Sequence, residues 1–233
     1  MSQQTMNSQK ISDKYTGDTA SKYDSKRTDS KKWENEQDAV ELLLRKVSEK
    51  NRIDTVLDIP VGTGRFLHMY DELGLDVVGM DLSEDMLSIS EKKSPQNSDF
   101  VFTKGNILKP DSIEVEPDIV VCIRLLNWFS FSEVSTVLEN LQSLDIEYAI
   151  VGIRTQPDEK VSFKKRLWLG HIQIISQILS LTPSGETINI HPESAFRTQV
   201  SEHNFQIENR ILIDVGTSPN DYCSEYNIYL LKT

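Results

Sequence analysis

Short apolar runs alternate along the chain with segments in which apolar residues recur at helical spacing. The strand-like runs lie at 54–59, 76–80, 99–103, 118–123 and 148–153. Helices are predicted before and between them, at 36–50, 64–73, 84–93 and 131–143. The segments DIVVCI and YAIVGI are apolar on both faces, as parallel strands covered by helices must be. This pattern predicts an α/β fold with a Rossmann-like, doubly wound sheet and helices on both faces.

The C-terminal part departs from this simple alternation. A helix predicted at 193–203 is followed by two strand-like segments at 206–213 and 226–231. The loop between these segments contains Gly, Ser, Pro, Asn and Asp, which is typical of an antiparallel hairpin at a sheet edge. The sequence therefore predicts seven strands, mostly parallel, with an antiparallel last strand.

The length of 233 residues suits one large domain. Residues 1–20 are polar and lack periodicity, so we expect a flexible N-terminal segment followed by a single domain over 21–233. The stretch 161–181 is apolar on most faces at helical spacing, and it predicts a helical insertion near 157–187. Core packing or a dimer interface is the first interpretation of that insertion, so a monomer and a homodimer both remain open.

Composition argues against several functional classes. A formal net charge of −11 works against broad nucleic-acid binding, because phosphates would be repelled. No run approaches the roughly 20 apolar residues of a membrane helix, and the N-terminal MSQQTMNSQK carries no secretory signal. Two scattered cysteines make no disulfide framework, which favours a reduced, cytoplasmic setting. The four histidines show no zinc-ligand spacing, so no metal site is predicted.

Candidate chemistry begins at the end of the first strand, in VLDIPVGTGRF. Gly62 and Gly64 allow a tight turn with no Cβ between the backbone and a ligand. Asp81 ends the second strand, 23 residues after Asp58, which is about the interval at which an acid meets ribose hydroxyls in nucleoside-binding units. Ligands bind beyond the carboxyl ends of the strands in such sheets. The spacing therefore favours a nucleoside-containing cofactor.

Two common phosphate-binding motifs do not fit. A dinucleotide fingerprint needs a third glycine where Leu67 stands, and no Gly-Lys-Ser/Thr of a Walker A motif follows. The ordered set is hydrophobic–Asp–x–x–x–Gly–x–Gly, then GMDLSEDML, KGNIL and PDIVVCIRLLNW. From about Tyr23 to the C-terminus, this set resembles the class I S-adenosylmethionine-dependent methyltransferases of the small-molecule type.

The resemblance implies a cofactor site along the carboxyl edge of the sheet. Asp58 and the loop at Gly62–Gly64 would hold the methionine part, and Asp81 the ribose hydroxyls. The full set of implied cofactor-binding residues is Asp58, Pro60, Gly62, Thr63, Gly64, Asp81, Leu82, Met86, Asn106, Ile107, Arg124, Tyr23, Arg27 and Trp33. Asn106 departs from the Asp common in the family, and Pro60 departs from its usual small residues.

Acceptor-side candidates come from segments beyond the glycine loop. Arg124 and Asn127 follow the fourth strand, where the family faces the methyl group, although a solvated loop explains them equally well. His171 lies on the apolar side of the predicted insertion, where the family places acceptor-pocket elements, and is a candidate base. Tyr23, Arg27 and Trp33 would fold over the cofactor by the same resemblance, with simple surface packing as the alternative.

The resemblance implies an S-adenosylmethionine-dependent methyltransferase with a small-molecule acceptor. An enzyme that methylates RNA or protein is one alternative, although IRLLNW replaces the Asn/Asp-Pro-Pro-aromatic motif of exocyclic amino methylation. A protein that binds S-adenosylmethionine in a non-methylating role is the other, because its binding loop would look the same.

Overall fold

The computed structural model describes residues 15–21, 23–24, 30–96, 98–109, 113, 116–157, 188–216 and 223–233. The strands are β1 (Thr55–Asp58), β2 (Asp76–Asp81), β3 (Val101–Lys104), β4 (Ile119–Cys122), β5 (Tyr148–Gln156), β6 (His191–Pro192), β7 (Gln206–Val215) and β8 (Glu225–Lys232). The helices are α1 (Gly17–Ser21), α2 (Lys31–Ser48), α3 (Leu67–Glu72), α4 (Glu84–Lys93), α5 (Phe131–Ser143) and α6 (Glu193–Glu202), with a short 3-10 helix at Leu126–Trp128.

One sheet contains all these strands, in the order β3-β2-β1-β4-β5-β8-β7. Strands β1 to β5 are parallel to one another, whereas β8 runs antiparallel to both β5 and β7. The predicted α/β class and the antiparallel hairpin at one edge are confirmed. The seven predicted strands are present, and β6 adds a two-residue bridge beside β5. The order reverses between β1 and β4, which is where ligands bind in doubly wound sheets.

Local sequence signals explain where the helices begin and end. The Ser83 hydroxyl accepts a hydrogen bond from the Met86 amide at the start of α4, and Ser130 and Glu133 form a reciprocal capping box at the start of α5. Helix α2 begins five residues before its predicted start, because Ser30 caps it by accepting from the Trp33 amide. This extension brings Trp33 into a helix whose next turn carries Glu36.

Apolar layers cover both faces of the sheet. On one face α2 and α3 pack against it through fully buried side chains such as Leu43 and Tyr70. On the other face α5 and α6 pack through Val137 and Phe196. Strand β4 is buried at every position, so its carboxyl end is fixed from both sides. The fold thus holds the ends of β1, β2 and β4 as a rigid edge.

Several sequence predictions concern residues that the structure does not describe. The insertion near 157–187 lies outside the described residues after position 157, and His171 and Arg27 lie outside them as well. Residues 15–20 of the predicted flexible segment form a turn and most of α1, which ends at Ser21. The boundaries of that segment and of the insertion stay predictions. Within the described ranges, no helix has the length and apolar character needed to cross a membrane.

Candidate functional site

The glycine loop after β1 is a tight bend held to the neighbouring strand. The Val61 amide donates to the Met80 carbonyl at 2.9 Å. Gly62 and Gly64 have φ angles of 56° and 72°, which favour glycine. A Cβ on Gly64 would lie 2.5 Å from a Leu67 methyl carbon, whereas one on Gly62 would meet no atom within 4 Å. Gly64 is therefore needed for packing, and Gly62 leaves open space above the bend.

Asp81 joins the bend to the end of β2. One carboxylate oxygen accepts from the Gly62 amide at 3.0 Å and the other from the Ser83 amide at 2.8 Å. Burial raises the pKa of Asp81, and these backbone hydrogen bonds oppose the rise. The Leu82 amide is a third backbone donor to Asp81. A carboxylate has about four lone-pair sites, so three amides leave acceptor capacity for a hydroxyl. The structure thus places Asp81 as a fixed acceptor beside the bend.

Asp58 lies beneath the bend and is almost completely buried. Its Oδ2 has no hydrogen-bond partner among the described residues. Burial raises the pKa of Asp58 to about 8; the Tyr70 hydroxyl opposes this rise, and Asp81 adds to it. The positive charge of Arg65 also opposes the rise but does not cancel it, so a positively charged ligand near the bend would further favour the ionised form of Asp58.

A pocket runs along the carboxyl edge of the sheet, from Asp81 across the bend to the end of β4. Its lining residues are Tyr15, Tyr23, Trp33, Ile59, Pro60, Val61, Gly62, Thr63, Arg65, Phe66, Asp81, Leu82, Met86, Gly105, Asn106, Ile107, Ile123, Arg124, Leu125, Trp128 and Phe129. Apolar and aromatic side chains dominate the wall, with a few polar groups, as in small-molecule sites generally.

Most of the residues implied by the resemblance meet in this pocket. Leu82, Met86, Asn106 and Ile107 lie together at the β2 end, where the Asn106 side-chain oxygen accepts from the Leu108 amide at 3.0 Å. Pro60, Gly62 and Thr63 form the floor, and Tyr23, Trp33 and Arg124 lie at the other end. Asp58 and Gly64 do not line the pocket and support the bend from behind.

Asn127 does not face the pocket in the described structure. Its side-chain oxygen accepts from the Arg154 amide at 2.7 Å, and its backbone carbonyl accepts from the Asn189 amide at 2.8 Å. Both contacts tie the 3-10 helix to β5 and to the chain that follows the undescribed segment. Asn127 therefore has a structural role, and Arg124 is the acceptor-side candidate that lines the pocket.

Two arginines share one buried carboxylate at the β4 end of the pocket. Glu36, which is fully buried, accepts from Arg65 Nη1 at 2.7 Å, and from Arg124 Nε at 2.8 Å and Nη2 at 2.9 Å. The Trp33 ring lies 3.9 Å from the Arg65 guanidinium carbon and 5.2 Å from that of Arg124, within cation–π range. Glu36 was missed in the sequence because a charged residue inside a helical pattern is typical of a solvent-exposed face.

The N-terminal segment covers the pocket. The Tyr15 carbonyl accepts from the Ser83 hydroxyl at 2.6 Å, and Asp24 accepts from the Thr63 hydroxyl at 2.6 Å. Asp24 also pairs with Lys93 on α4. The Tyr15 ring contacts Trp128 and Tyr23 edge-on, and Tyr23 contacts Trp33. Tyr15 was not expected at the site because no motif marks it, and Trp128 ends the motif PDIVVCIRLLNW but was not assigned a role.

Comparisons with known proteins agree with this geometry. Residues 57–144 match the family described as a methyltransferase domain. YqeM of Bacillus subtilis (strain 168), named as a methyltransferase, is 31% identical over 97 residues, which are 41% of this chain and 37% of that protein. The chain thus aligns with little more than a third of that relative.

Solved structures share the fold over nearly the whole chain. Magnesium protoporphyrin IX methyltransferase (ChlM) from Synechocystis PCC 6803, with bound S-adenosylhomocysteine, has a TM-score of 0.71 at 17% identity, covering 97% of this chain and 99% of that chain. An S-adenosylmethionine-dependent methyltransferase from Clostridium acetobutylicum ATCC 824 has a TM-score of 0.61 at 15% identity, covering 96% and 98%. The architecture is that of the class I methyltransferases.

Residues 57–144 match the model of the methyltransferase-domain family, and the chain shares its fold with solved S-adenosylmethionine-dependent methyltransferases. The resemblance noted in the sequence is thereby confirmed. No cluster of three or more metal-ligating side chains occurs within the described part of the chain.

Proposed function

We propose that the protein is an S-adenosylmethionine-dependent methyltransferase whose acceptor is a small molecule. The observation that carries this proposal is one continuous pocket that joins Asp81, the glycine bend and Arg124 under an aromatic cover. S-Adenosylmethionine supplies a methyl group activated by a sulfonium leaving group. The family match, over 57–144, supports the same reaction class.

The residues of the pocket fit this cofactor from one end to the other. Leu82, Met86 and Ile107 offer apolar contacts to a purine, and Asp81 keeps acceptor capacity for ribose hydroxyls. Gly62 leaves the space above the bend open for an amino-acid tail. The unpartnered Oδ2 of Asp58 lies beneath that bend and would gain a counter-charge from the tail's ammonium group.

The chain's own residues would act mainly by positioning and by excluding water. Alignment of donor and acceptor is worth up to roughly 7–11 kcal/mol in such displacements. Tyr15, Tyr23 and Trp128 cover the pocket and would exclude water from the transfer. The Tyr23 ring lines the pocket and offers a π surface that attracts a sulfonium cation.

A small acceptor fits better than a macromolecule for two reasons. The pocket is covered by the N-terminal segment through the Tyr15 and Asp24 contacts, which restricts access to its interior. The net charge of −11 would also repel a nucleic acid. A cytoplasmic location and a monomeric or homodimeric state, expected from the sequence, belong to the same proposal.

Calorimetry with S-adenosylmethionine and S-adenosylhomocysteine tests the proposal directly. Asp81→Asn should weaken the binding of both by about tenfold or more, because a charge-assisted hydrogen bond contributes about 1.5–3 kcal/mol. Asp76→Asn is the matched control, because Asp76 is exposed at the opposite end of the same strand and its variant should bind normally. Failure of the wild-type protein to bind either nucleoside would refute the proposal.

Methyl transfer itself is tested with labelled S-adenosylmethionine and a cell extract separated by size. We expect the label in the small-molecule fraction. Label in RNA or protein would favour the macromolecular alternative. Cofactor binding without transfer to any fraction would favour a non-methylating role.

A further inference from the structure

The β4 end of the pocket carries an unbalanced positive charge. Arg65 and Arg124 contribute two guanidinium groups, and Glu36 is the carboxylate that both contact. Glu36 is fully buried, so solvent does little to screen this cluster. One positive charge is therefore left facing the pocket, although the chain as a whole is acidic.

Arg124 is the member of the pair that a ligand can reach. The Arg65 side chain is 8% exposed and also donates to the Trp33 carbonyl at 2.6 Å. The Arg124 side chain is 25% exposed and lines the pocket. Its Nε and Nη2 atoms hold the two oxygens of Glu36, which occupies one edge of the guanidinium plane. The adjacent edge, formed by Nη1 and the second hydrogen of Nη2, makes no hydrogen bond within the described ranges, and the hydroxyl of Tyr23, a residue that lines the pocket, interacts electrostatically with the guanidinium.

The orientation of Arg124 is fixed before any ligand arrives. Its φ of 64° is in the left-handed region, which costs roughly 1–2 kcal/mol for a residue with a side chain. The backbone amide of Arg124 donates to the Tyr226 hydroxyl at 3.2 Å, and Glu36 holds the guanidinium. A strained backbone at the end of a buried strand is a feature of functional sites. The free edge is therefore a preorganised donor pair.

The geometry points to a carboxylate at this edge, and we propose that it is the carboxylate of the methyl acceptor. Two parallel N–H donors on a planar guanidinium match the two oxygens of a carboxylate. Tyr23 and Trp128 line the same pocket and offer flat apolar surfaces. The acceptor is therefore an organic acid with a planar apolar body. This inference rests on the proposed methyltransferase function.

A matched set of ligands tests the inference on the full-length protein. We would saturate the protein with S-adenosylhomocysteine and titrate 2-naphthoate, 2-naphthamide and 2-naphthylmethylamine, with binding followed by ligand-observed NMR. The carboxylate should bind at least about tenfold more tightly than the neutral amide, as expected for a charge-assisted hydrogen bond. The amine should bind no better than the amide. Equal binding of all three, or binding of none, overturns the inference.

Variants assign the preference to Arg124. Arg124→Lys keeps the charge and loses the paired donors, so it should reduce the carboxylate preference several-fold, and Arg124→Gln should abolish it. Arg52→Gln is the control, because Arg52 is an exposed surface arginine. A preference that survives in both Arg124 variants overturns the inference. The comparison of ligands on the wild-type protein needs no variant, so it stands even if a variant folds poorly.

The cofactor has a carboxylate of its own, and a second comparison separates the two sources. 5′-Methylthioadenosine lacks the amino-acid tail that S-adenosylhomocysteine carries. If Arg124→Lys weakens S-adenosylhomocysteine about tenfold and leaves 5′-methylthioadenosine unchanged, Arg124 binds the cofactor's carboxylate, and the inference is wrong while the proposed function stands. If the wild-type protein binds no S-adenosylhomocysteine, the proposed function and the inference fall together.

Discussion

Replacing Asp58 by Asn tests whether the buried carboxyl group beneath the bend responds to a cation in the pocket. The substitution keeps the size of the side chain and removes its ability to ionise. Burial raises the pKa of Asp58 to about 8, and its Oδ2 has no partner in the described structure. The ammonium group of the cofactor's amino-acid tail would favour the ionised carboxylate, so binding and deprotonation are linked.

The size of the effect follows from that pKa. With a pKa of about 8, Asp58 is about nine-tenths protonated at pH 7 in the unliganded protein. If the ligand binds only when Asp58 is ionised, the apparent affinity at pH 7 is about tenfold lower than that of the fully ionised protein, a difference of about 1.4 kcal/mol. The association constant should therefore rise by about tenfold per pH unit between pH 5.5 and 7.5. In Asp58→Asn it should be flat over this range.

Calorimetric titration with S-adenosylhomocysteine at several pH values measures this slope. 5′-Methylthioadenosine, which has no ammonium group, is the control ligand and should show no slope with either protein. Wild-type binding that does not change with pH, or a slope retained in Asp58→Asn, would refute the reasoning.

The same pKa predicts the pH dependence of stability in the unliganded protein. The folded pKa of Asp58 is raised above that of the unfolded chain, so the folded state binds more protons between about pH 4 and pH 8. Its contribution to the free energy of unfolding is then fully present at low pH and falls as the pH rises across this window. Asp58→Asn should be the more stable protein at pH 8, and the difference should shrink steadily as the pH falls and vanish only below about pH 4.

Three further variants test the packing around the site. Gly64→Ala should lower the free energy of unfolding by about 2–4 kcal/mol, because the backbone would be strained and the new Cβ would clash with Leu67. Gly74→Ala should lower it by only about 1–2 kcal/mol, since Gly74 has a φ of 69° but open space around it. Urea titrations measure both values. Glu36→Gln should lower the free energy of unfolding by about 3–5 kcal/mol, because it leaves two arginines without their carboxylate. Glu41→Gln, on the exposed face of the same helix, should lower it by less than about 0.5 kcal/mol. Thr63→Val removes a hydrogen bond to the N-terminal segment worth about 1 kcal/mol, so limited proteolysis there should be about fivefold faster with little change in melting temperature. Equal losses within either matched pair, or unchanged proteolysis, would contradict these assignments.

The glycine bend and Asp81 could be predicted because their signals are local. A strand that ends in two closely spaced glycines leaves few backbone conformations, and the next strand must end beside it in a parallel sheet. Asp81 therefore had to lie close to Gly62, and the structure shows a direct hydrogen bond between them.

Glu36 could not be predicted, because its environment is created by distant parts of the chain. It is 88 residues from Arg124 in sequence, and only the packing of α2 beside the end of β4 brings them together. The same limit applies to Asn127, which follows β4 as expected. Its side-chain oxygen is taken by the Arg154 amide, 27 residues further on. Hydrogen bonds and ion pairs between distant parts of the chain produce no periodic pattern in the sequence, so they could not be predicted from it.

The opposite charges at the two ends of the pocket bear on which acceptor atom is methylated. Asp81 lies at one end, whereas Arg124 lies at the other, held by a buried carboxylate. An arginine that pairs with a carboxylate stabilises it as an anion and so makes its oxygens poorer nucleophiles. The group held at Arg124 should therefore anchor the acceptor, with a different atom receiving the methyl group. We expect the methylated product to keep its acid and to be retained on an anion-exchange column at pH 7; a neutral methyl ester in the flow-through would contradict this assignment.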